Sequence, residues 1–517
     1  MTKHLLAGIV ILGTLGFACS SSDTSAGAAN PSTPPPTLDR LIEEGDIVWL
    51  DDPALYVLNK TRGLSIVGLG NPSSPVLIGR VAITGTPVEL YFHHGYILAL
   101  HSGLTSTSST TSSRLSIVDV RRPEAPALLG YIGLYGTVTS SRLVGDVLYV
   151  ASDSGGTIAS VNVADPGSPR LMDRLSLPLG SYGSHVLATE TVFYVASESY
   201  QGTGMGECAS SYKDSDGCTT IFAVDISSPV GALRLGASYA MAGLLKDRWG
   251  LDAFDGVLRV LVARDGWWTT TGTISAILRT FRSSSADQLD PLASLSLKTE
   301  AVEKVMAVRF DGPRAYVVTF RQTDPLFTID LSNPANPRVA GHLQTPGWLD
   351  FIIPRGNRLL GIGREQDTQL GGWRLQASLY DVTTLGAPTL AARISFADRY
   401  STLPDQSDNL GKVVRVMDDL DVVLVPYNGT SVGYSTTGAG GQVEILSFAG
   451  DILSTQGRIA STQTIVRAVP LPPVYFAAVT ESAVGVIQIS PEPAVVGVVD
   501  LNQAVLSAVT TDGGSRD

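Results

Sequence analysis

Chemistry in this chain has to come from few side chains: six histidines and three cysteines among 517 residues. There is no HExxH, no GxSxG, no phosphate-binding GxxxxGK and no GxGxxG opening a helix. GTGMG at 202–206 reads as a flexible loop without a strand-to-helix setting. A nucleophile triad needs a histidine, and beyond the N-terminus only His93, His94, His101, His185 and His342 remain. His93 and His94 fall at a predicted hairpin turn, with His101 at the end of the next strand. Adjacent or hairpin-linked histidines can hold copper or zinc, but turn and surface histidines are far commoner, so no metal is assigned. Asp214-Ser215-Asp216-Gly217 looks like a fragment of a calcium loop but lacks the bidentate Glu that completes one. Cys208 and Cys218 bracket the same polar loop, and in an exported chain such a pair is expected to form a local disulfide.

Other polar candidates are weaker still. Asp119, Asp225, Asp330 and Asp381 recur at equivalent repeat positions, where a carboxylate is expected to satisfy turn N–H groups rather than to catalyse. Asp418, Asp419 and Asp421 precede a strand and read as a solvated turn, and His342 as a structural edge-strand residue. Trp267-Trp268, in a Thr/Gly-rich loop, offers a binding signal, with blade packing as its competing reading. Arg321, Gln322 and Asp324 lie between two strands of the sixth repeat and form a second candidate binding loop. No catalytic residue is assigned.

The elements that must position these residues are strands. From about Asp46 one unit recurs: an apolar strand, a turn, a second strand rich in aromatic and β-branched residues, a third reading like IVD or IDL, a Pro-containing turn and a short fourth strand. The third strand returns nine times: GLSIVGL, RLSIVDV, IASVNVAD, TIFAVDI, TISAILRTF, LFTIDL, ASLYDV, VEILSF and VGVIQIS. Four strands per unit at about 50 residues is the signature of a β-propeller. The turn after the third strand recurs as Asn71-Pro72-Ser73-Ser74-Pro75, Asp165-Pro166-Gly167-Ser168-Pro169 and Asn333-Pro334-Ala335-Asn336-Pro337. The first Pro presets the turn and the Asn or Asp before it can accept from the backbone ahead. The second Pro opens an outer strand that needs no further partner. Near-continuous apolar runs such as DVVLVPY suit sheets covered on both faces. No sustained helical period follows residue 45, and the stretch at 41–44 makes one turn at most. The expectation is an all-β, single propeller of four-stranded antiparallel blades, about eight with a range of seven to nine, in which the strand at 46–50 helps close the ring with the C-terminal unit.

Composition sets outer limits. At 44% hydrophobic and 16% charged residues the chain is neither disordered nor a disulfide-only mini-protein. Fifty-three glycines and 29 prolines imply many turns. A formal charge of −12 repels phosphate backbones, so nucleic acid is excluded as an expected partner.

The segment AVRFDGPRAYVVTFRQTDPLFTIDLSNPANPRVAGHLQTPGW, together with EEGDIVWLDDPALYVLN and PVELYFHHGYILAL, resembles the secreted bacterial and archaeal C-terminal β-propeller family, distantly related to WD-repeat proteins. GLSIVGLGNPSSPVLIG also resembles LVIVD-type repeats. The resemblance spans most of residues 43–500 and implies a propeller and export, with no established reaction. The unit around 409–427 lacks the Asp-His-Lys run of that family.

The N-terminus reads as an address. MTKHLLAGIVILGTLGFA places one Lys before fourteen mostly apolar residues, too few to span a bilayer, and Cys19 follows. Ala18 before Cys19 resembles a bacterial lipoprotein signal, although Gly16 stands where Leu is usual; ordinary secretion is the competing reading. SSSDTSAGAANPSTPPPT is a polar, Pro-rich tether. The expected organisation is a signal at 1–18, a lipidated Cys19 and tether over 19–42, a propeller over 43–505 and a flexible tail over 506–517. By resemblance, Ser20 favours the outer membrane. The expected function is a non-catalytic, envelope-anchored binding or assembly scaffold without cofactor, held to the membrane by its lipid and contacting protein or glycan. The alternatives are a propeller enzyme (hydrolase, lyase or quinone-dependent dehydrogenase) with a site spread over several blades, or an accessory lipoprotein of outer-membrane assembly. Mass spectrometry of the membrane fraction should find Cys19 acylated at the mature N-terminus; an unmodified Cys19 there excludes the lipid anchor.

Overall fold

The computed structural model describes residues 42–503 apart from 104–110, 153–155, 179–182, 200–207, 209–216, 264–273, 300–302, 321–323, 346, 368–370, 406 and 430–439. It contains nine antiparallel sheets, each built from four strands consecutive in sequence. They span 48–81, 86–135, 138–176, 183–242, 251–298, 304–345, 348–396, 415–460 and 467–500, and are numbered here as blades 1 to 9. Each of the nine recurring third-strand segments is the third strand of its own sheet. Nine blades replace the expected eight because no repeat is shared across the closure or set aside.

Nine apolar clusters fill the nine seams between neighbouring blades, including the seam between blades 9 and 1. That set of seams makes a closed ring. The inner strands are covered on both sides, which explains their unbroken apolar runs: Ala54–Asn59, Tyr96–Ser102 and Val147–Ser152 are buried at every position. The closing seam uses no shared strand. Val48–Asp51 pairs with Ala54–Asn59 inside blade 1 and meets the C-terminal unit through side chains, Val48 and Leu50 packing in one cluster with Val469 and Val479. Closure rests on fourteen buried residues, among them Val57, Leu77, Val486 and Leu501. Asn59 Nδ2 adds a bond to Glu481 O at 3.2 Å and Arg62 Nε one to Asn502 Oδ1 at 2.9 Å.

The Pro-containing turns behave as their composition predicts. Asn71, Asp165 and Asn333 each accept from the amide two residues ahead at 3.1 Å, and their carbonyls accept from the amide three ahead at 2.9 Å. Each turn also docks on the preceding blade. In blades 1, 4, 6, 8 and 9 the fourth strand carries a glycine where it bulges, and the next blade's turn fills the space a side chain would take. A Cβ on Gly341 would stand 2.5 Å from Leu385 O, and one on Gly497 would stand 2.5 Å from Pro75 Cδ. Thr280 and Thr328 of the third strands donate to the same turns, at 2.6 Å to Pro334 O and 2.5 Å to Leu385 O.

Among the described residues, helix is confined to the single turn Leu410–Val413 and short 3-10 segments, and none is long and apolar enough to cross a membrane. Ile42–Glu43, read from sequence as at most a helical turn, is instead a fifth strand on the inner edge of blade 3, paired with Val144 and Leu143. Cys208 and Cys218 form the expected disulfide.

The docking of each turn onto its glycine generates a mutational contrast. Gly341→Val should destabilise the protein by at least about 2 kcal/mol through overpacking against backbone. Gly130→Val, at a fourth-strand glycine with nothing within 4 Å of the added Cβ, should stay within about 0.5 kcal/mol. Denaturant unfolding of the two variants checks this, and equal effects would refute the docking role.

Candidate functional site

A meander of four strands sends its turns to two faces. The tight turns between first and second and between third and fourth strands share one face, here the hairpin face. The longer loops between second and third strands and the connections between blades share the other, the loop face.

The centre of the ring is occupied by the chain itself. Residues 42–46 run inward from the hairpin face along the first strand of blade 3, and the Asp46 carbonyl accepts from Leu90 N of blade 2 at 2.7 Å. This segment brings two carboxylates into a ring of cations. Glu44 meets Arg248 at 2.5 Å and Lys412 at 3.3 Å. Asp46 meets Arg467 at 2.8 Å and Arg415 at 3.4 Å. Glu89 takes Lys412 at 3.0 Å. Burial opposes the charge of Asp46, but Arg467, with Lys412 and Arg415, outweighs it and holds the carboxyl below its ordinary 3.8. Glu44 is likewise held below its ordinary 4.5, with Arg248 and Arg142 outweighing burial. Arg309 stacks over Trp249 and Phe351, 3.4 and 4.7 Å from the ring centroids.

The segment that lacks the family's Asp-His-Lys run also enters this centre. It carries Lys412 and Arg415, and Asp408 just before them pairs with His185 at 3.5 Å and accepts from Arg248 N at 2.7 Å. Burial works against the His185 charge, yet Asp408, with Glu198 and Asp247 nearby, raises its pKa. Burial raises the pKa of Glu198 and Asp247. Separated acid and base character is what proton transfer needs. Here each group already has a protein partner: Glu198 accepts from Leu245 N at 2.8 Å and Asp247 from Trp249 N at 3.0 Å. The arrangement is that of a salt-bridged plug. None of it was visible in sequence, because its members come from residues as far apart as 44 and 467.

A different group of side chains opens to solvent on the loop face. Phe320 ends the second strand of blade 6, while Trp348 and Trp373 begin the first and third strands of blade 7. Their rings meet at 5.0 Å (Phe320 to Trp348) and 4.2 Å (Trp348 to Trp373), and all three are partly exposed. Trp348 Nε1 donates to Asp350 Oδ1 at 3.0 Å, and Arg364 Nε donates to the other carboxylate oxygen at 3.2 Å, which fixes the indole. Tyr400, 58% exposed, is tied alongside by its amide to Trp373 O. Partly exposed aromatic faces beside fixed polar groups suit a sugar ring or a protein side chain.

Sequence reasoning pointed to the loop that follows Phe320 but missed the aromatic group, whose members stand at strand ends. Arg321 and Gln322 lie outside the described residues, as do Trp267, Trp268, Asp214, Asp216 and Cys19; Asp324 opens a strand, and its side chain is outside them as well. His93 and His94 stay together and gain Asp146 from the neighbouring blade, a set able to hold a metal. His101 is separated from them: strand alternation buries it inside blade 2, where Nε2 meets Ser116 Oγ at 2.7 Å. Burial, with Arg114 adding to it, lowers its pKa to about 4. Asp119, Asp225, Asp330 and Asp381 each accept from the amide two residues on, as a structural role requires. Asp418–Leu420 forms the expected turn, and His342 sits in a fourth strand.

The plug implies an acid response with a definite sign. The fold favours the ionised form of Asp46, so its contribution is complete above about pH 5 and is lost as pH falls through its lowered folded pKa. Asp46→Asn removes the nearest carboxylate charge from the buried guanidinium groups of Arg467 and Arg415 and should cost about 3–5 kcal/mol at neutral pH. The variant's stability should then fall less steeply than that of wild type between about pH 5 and 3. Parallel slopes in denaturant titrations across this range would contradict the assignment.

Comparison with known proteins agrees with the ring. The family described as "Beta propeller domain" matches residues 39–164 and 155–468. An uncharacterized protein of Methanocaldococcus jannaschii is 35% identical over 149 residues, 29% of this chain and 22% of the other, and one of Archaeoglobus fulgidus is 34% identical over 150 residues, 29% and 21%. The matched part is thus about a fifth of the length of these relatives. Among solved structures, the WD40 domain of SCAP from fission yeast aligns over 77% of this chain and 89% of its own, at 10% identity and a TM-score of 0.43. Dihydro-heme d1 dehydrogenase NirN aligns over 67% and 64%, at 15% identity and a TM-score of 0.41. At these values the two structures carry no argument about ligand or chemistry. Nine repeats, nine sealed seams and a match over most of the length place this chain in the beta-propeller domain family.

Proposed function

We propose that the protein is a non-catalytic binding scaffold of the bacterial cell envelope, anchored through Cys19 and engaging a protein or glycan through its loop face. The observation that carries this reading is the aromatic group Phe320, Trp348 and Trp373, exposed at one rim of a disc whose centre is filled by matched charges. A propeller enzyme would need room for substrate among convergent polar groups, and here those groups are engaged with one another.

The direction of the tether supports the same reading. Ile42 faces Val144, beside the turn between the first and second strands of blade 3, so the described chain begins at the hairpin face. A lipid at the end of that tether turns the hairpin face towards the membrane and the loop face away from it. The aromatic group is then presented outward, where an envelope partner can reach it.

Trp373→Ala should weaken retention of the partner from envelope extracts or of an envelope polysaccharide about thirtyfold, the loss typical of a central aromatic contact. Ile452→Ala, an exposed residue of a hairpin-face turn, should leave it unchanged. Quantitative co-purification, run in parallel with a polysaccharide-binding assay on the same variants, reads both arms. Equal retention by Trp373→Ala and wild type would overturn the loop-face site, and turnover of a small-molecule substrate would overturn the non-catalytic reading.

A further inference from the structure

The hairpin face carries a second constellation. His93 is the last residue of the strand Thr86–His93. Side chains alternate along a strand, so His93 points the same way as Tyr91, whose hydroxyl meets Ser141 of blade 3 at 2.8 Å. The His93 ring is therefore carried across the seam towards blade 3. His94 and Gly95 form the two-residue turn that follows, with φ of 50° and 80°, the left-handed pair that a tight hairpin requires. That backbone folds the His94 ring over His93, with centroids 4.1 Å apart. On the neighbouring blade, Gly145 and Asp146 make the corresponding turn between Val144 and Val147.

Both turns are clamped from behind. Gly95 O accepts from Val120 N at 3.0 Å, and Asp146 O accepts from Val163 N at 2.8 Å. As a result, His93 Nε2 lies 3.1 Å and His94 Nε2 3.4 Å from the same oxygen, Asp146 Oδ1. The three ligand atoms all lie within 4.8 Å of one another. Donors about 2.0–2.2 Å from a tetrahedral zinc stand roughly 3.3 Å apart, so a cation needs little rearrangement to enter. Glu43, on the strand that passes this point, has a buried Oε2 without a hydrogen-bond partner among the described residues.

We propose that His93, His94 and Asp146 form a binding site for a borderline divalent transition metal (zinc, copper or nickel) that clips blade 2 to blade 3. Two imidazoles and one carboxylate suit such ions and do not suit magnesium or calcium, which take oxygen ligands. His94 and Asp146 are 60% and 48% exposed, so the remaining coordination positions face solvent. Glu43 adds negative charge beside the cation. The site lies on the face opposite the aromatic group and stands or falls independently of the proposed function.

The test is calorimetric titration of tag-free mature protein with Zn²⁺, Ni²⁺ and Mg²⁺, read together with thermal unfolding. One zinc per chain is expected, with nickel binding at the same site and no heat from magnesium. His94→Ala and Asp146→Asn, both at exposed turn positions, should weaken zinc at least tenfold without moving the metal-free melting temperature. Zinc should raise the melting temperature of wild type and leave that of His94→Ala where it was. Absence of stoichiometric binding, or zinc affinity unchanged in both variants, overturns the proposal. His93→Ala serves as a third variant, to be read only where its metal-free melt matches wild type.

Discussion

Each blade has two apolar faces and can hide them only against its neighbours, so the molecule depends on the sealing of its seams. The seam between blades 9 and 1 is the most demanding, because the chain's two ends meet there without a shared strand. Fourteen buried residues line it, and a fully buried aliphatic side chain is worth roughly 1.5–3 kcal/mol. The hydrogen bonds across it, from Asn59, Arg62 and Arg80, are few and worth about 1 kcal/mol each. Apolar packing therefore holds the ring, and the hydrogen bonds set its register. At five of the nine seams, the closing one included, the turn of one blade also seats against a glycine of the preceding blade.

Closing nine sheets leaves a wide centre, and the protein fills it with charge. That choice has a physical cost, since buried ions lose hydration that mutual attraction repays only when geometry is good. Here the geometry is distributed: Glu44 and Asp46 arrive on one short segment and are met by four cations from three separate places along the chain, Arg248, Lys412 with Arg415, and Arg467. The segment thus links blades 2, 3, 8 and 9 at the axis. The two rims differ in chemistry: aromatic side chains on the loop face, and imidazole with carboxylate on the hairpin face beside the departing tether.

Much of the fold was legible because repeats expose their own rules. The motif GLSIVGL and its eight relatives marked every third strand, and the Asn-Pro and Asp-Pro turns form the bonds their composition predicts. The Ser and Thr of those motifs were legible as residues but not as contacts; their partners, such as Leu385 O for Thr328, belong to the next blade. The nine blades lie at the top of the range of seven to nine that the repeats allowed, because every repeat makes its own sheet. Nothing in the run DIVWLDD distinguishes a strand that completes its own sheet from one that completes another.

The sequence by itself determined the local elements, the disulfide loop, the repeat and hence the propeller, because turn chemistry, strand alternation and periodicity act over a few residues. Only the tertiary structure decided which groups meet: Asp46 with Arg467 across 421 positions, Asp146 with His93 across 53, and Trp373 with Phe320 in the neighbouring blade. The reason is geometric. Ring closure turns sequence distance into spatial adjacency at the axis and at each seam, and contacts of that kind leave no mark on the local pattern of either partner.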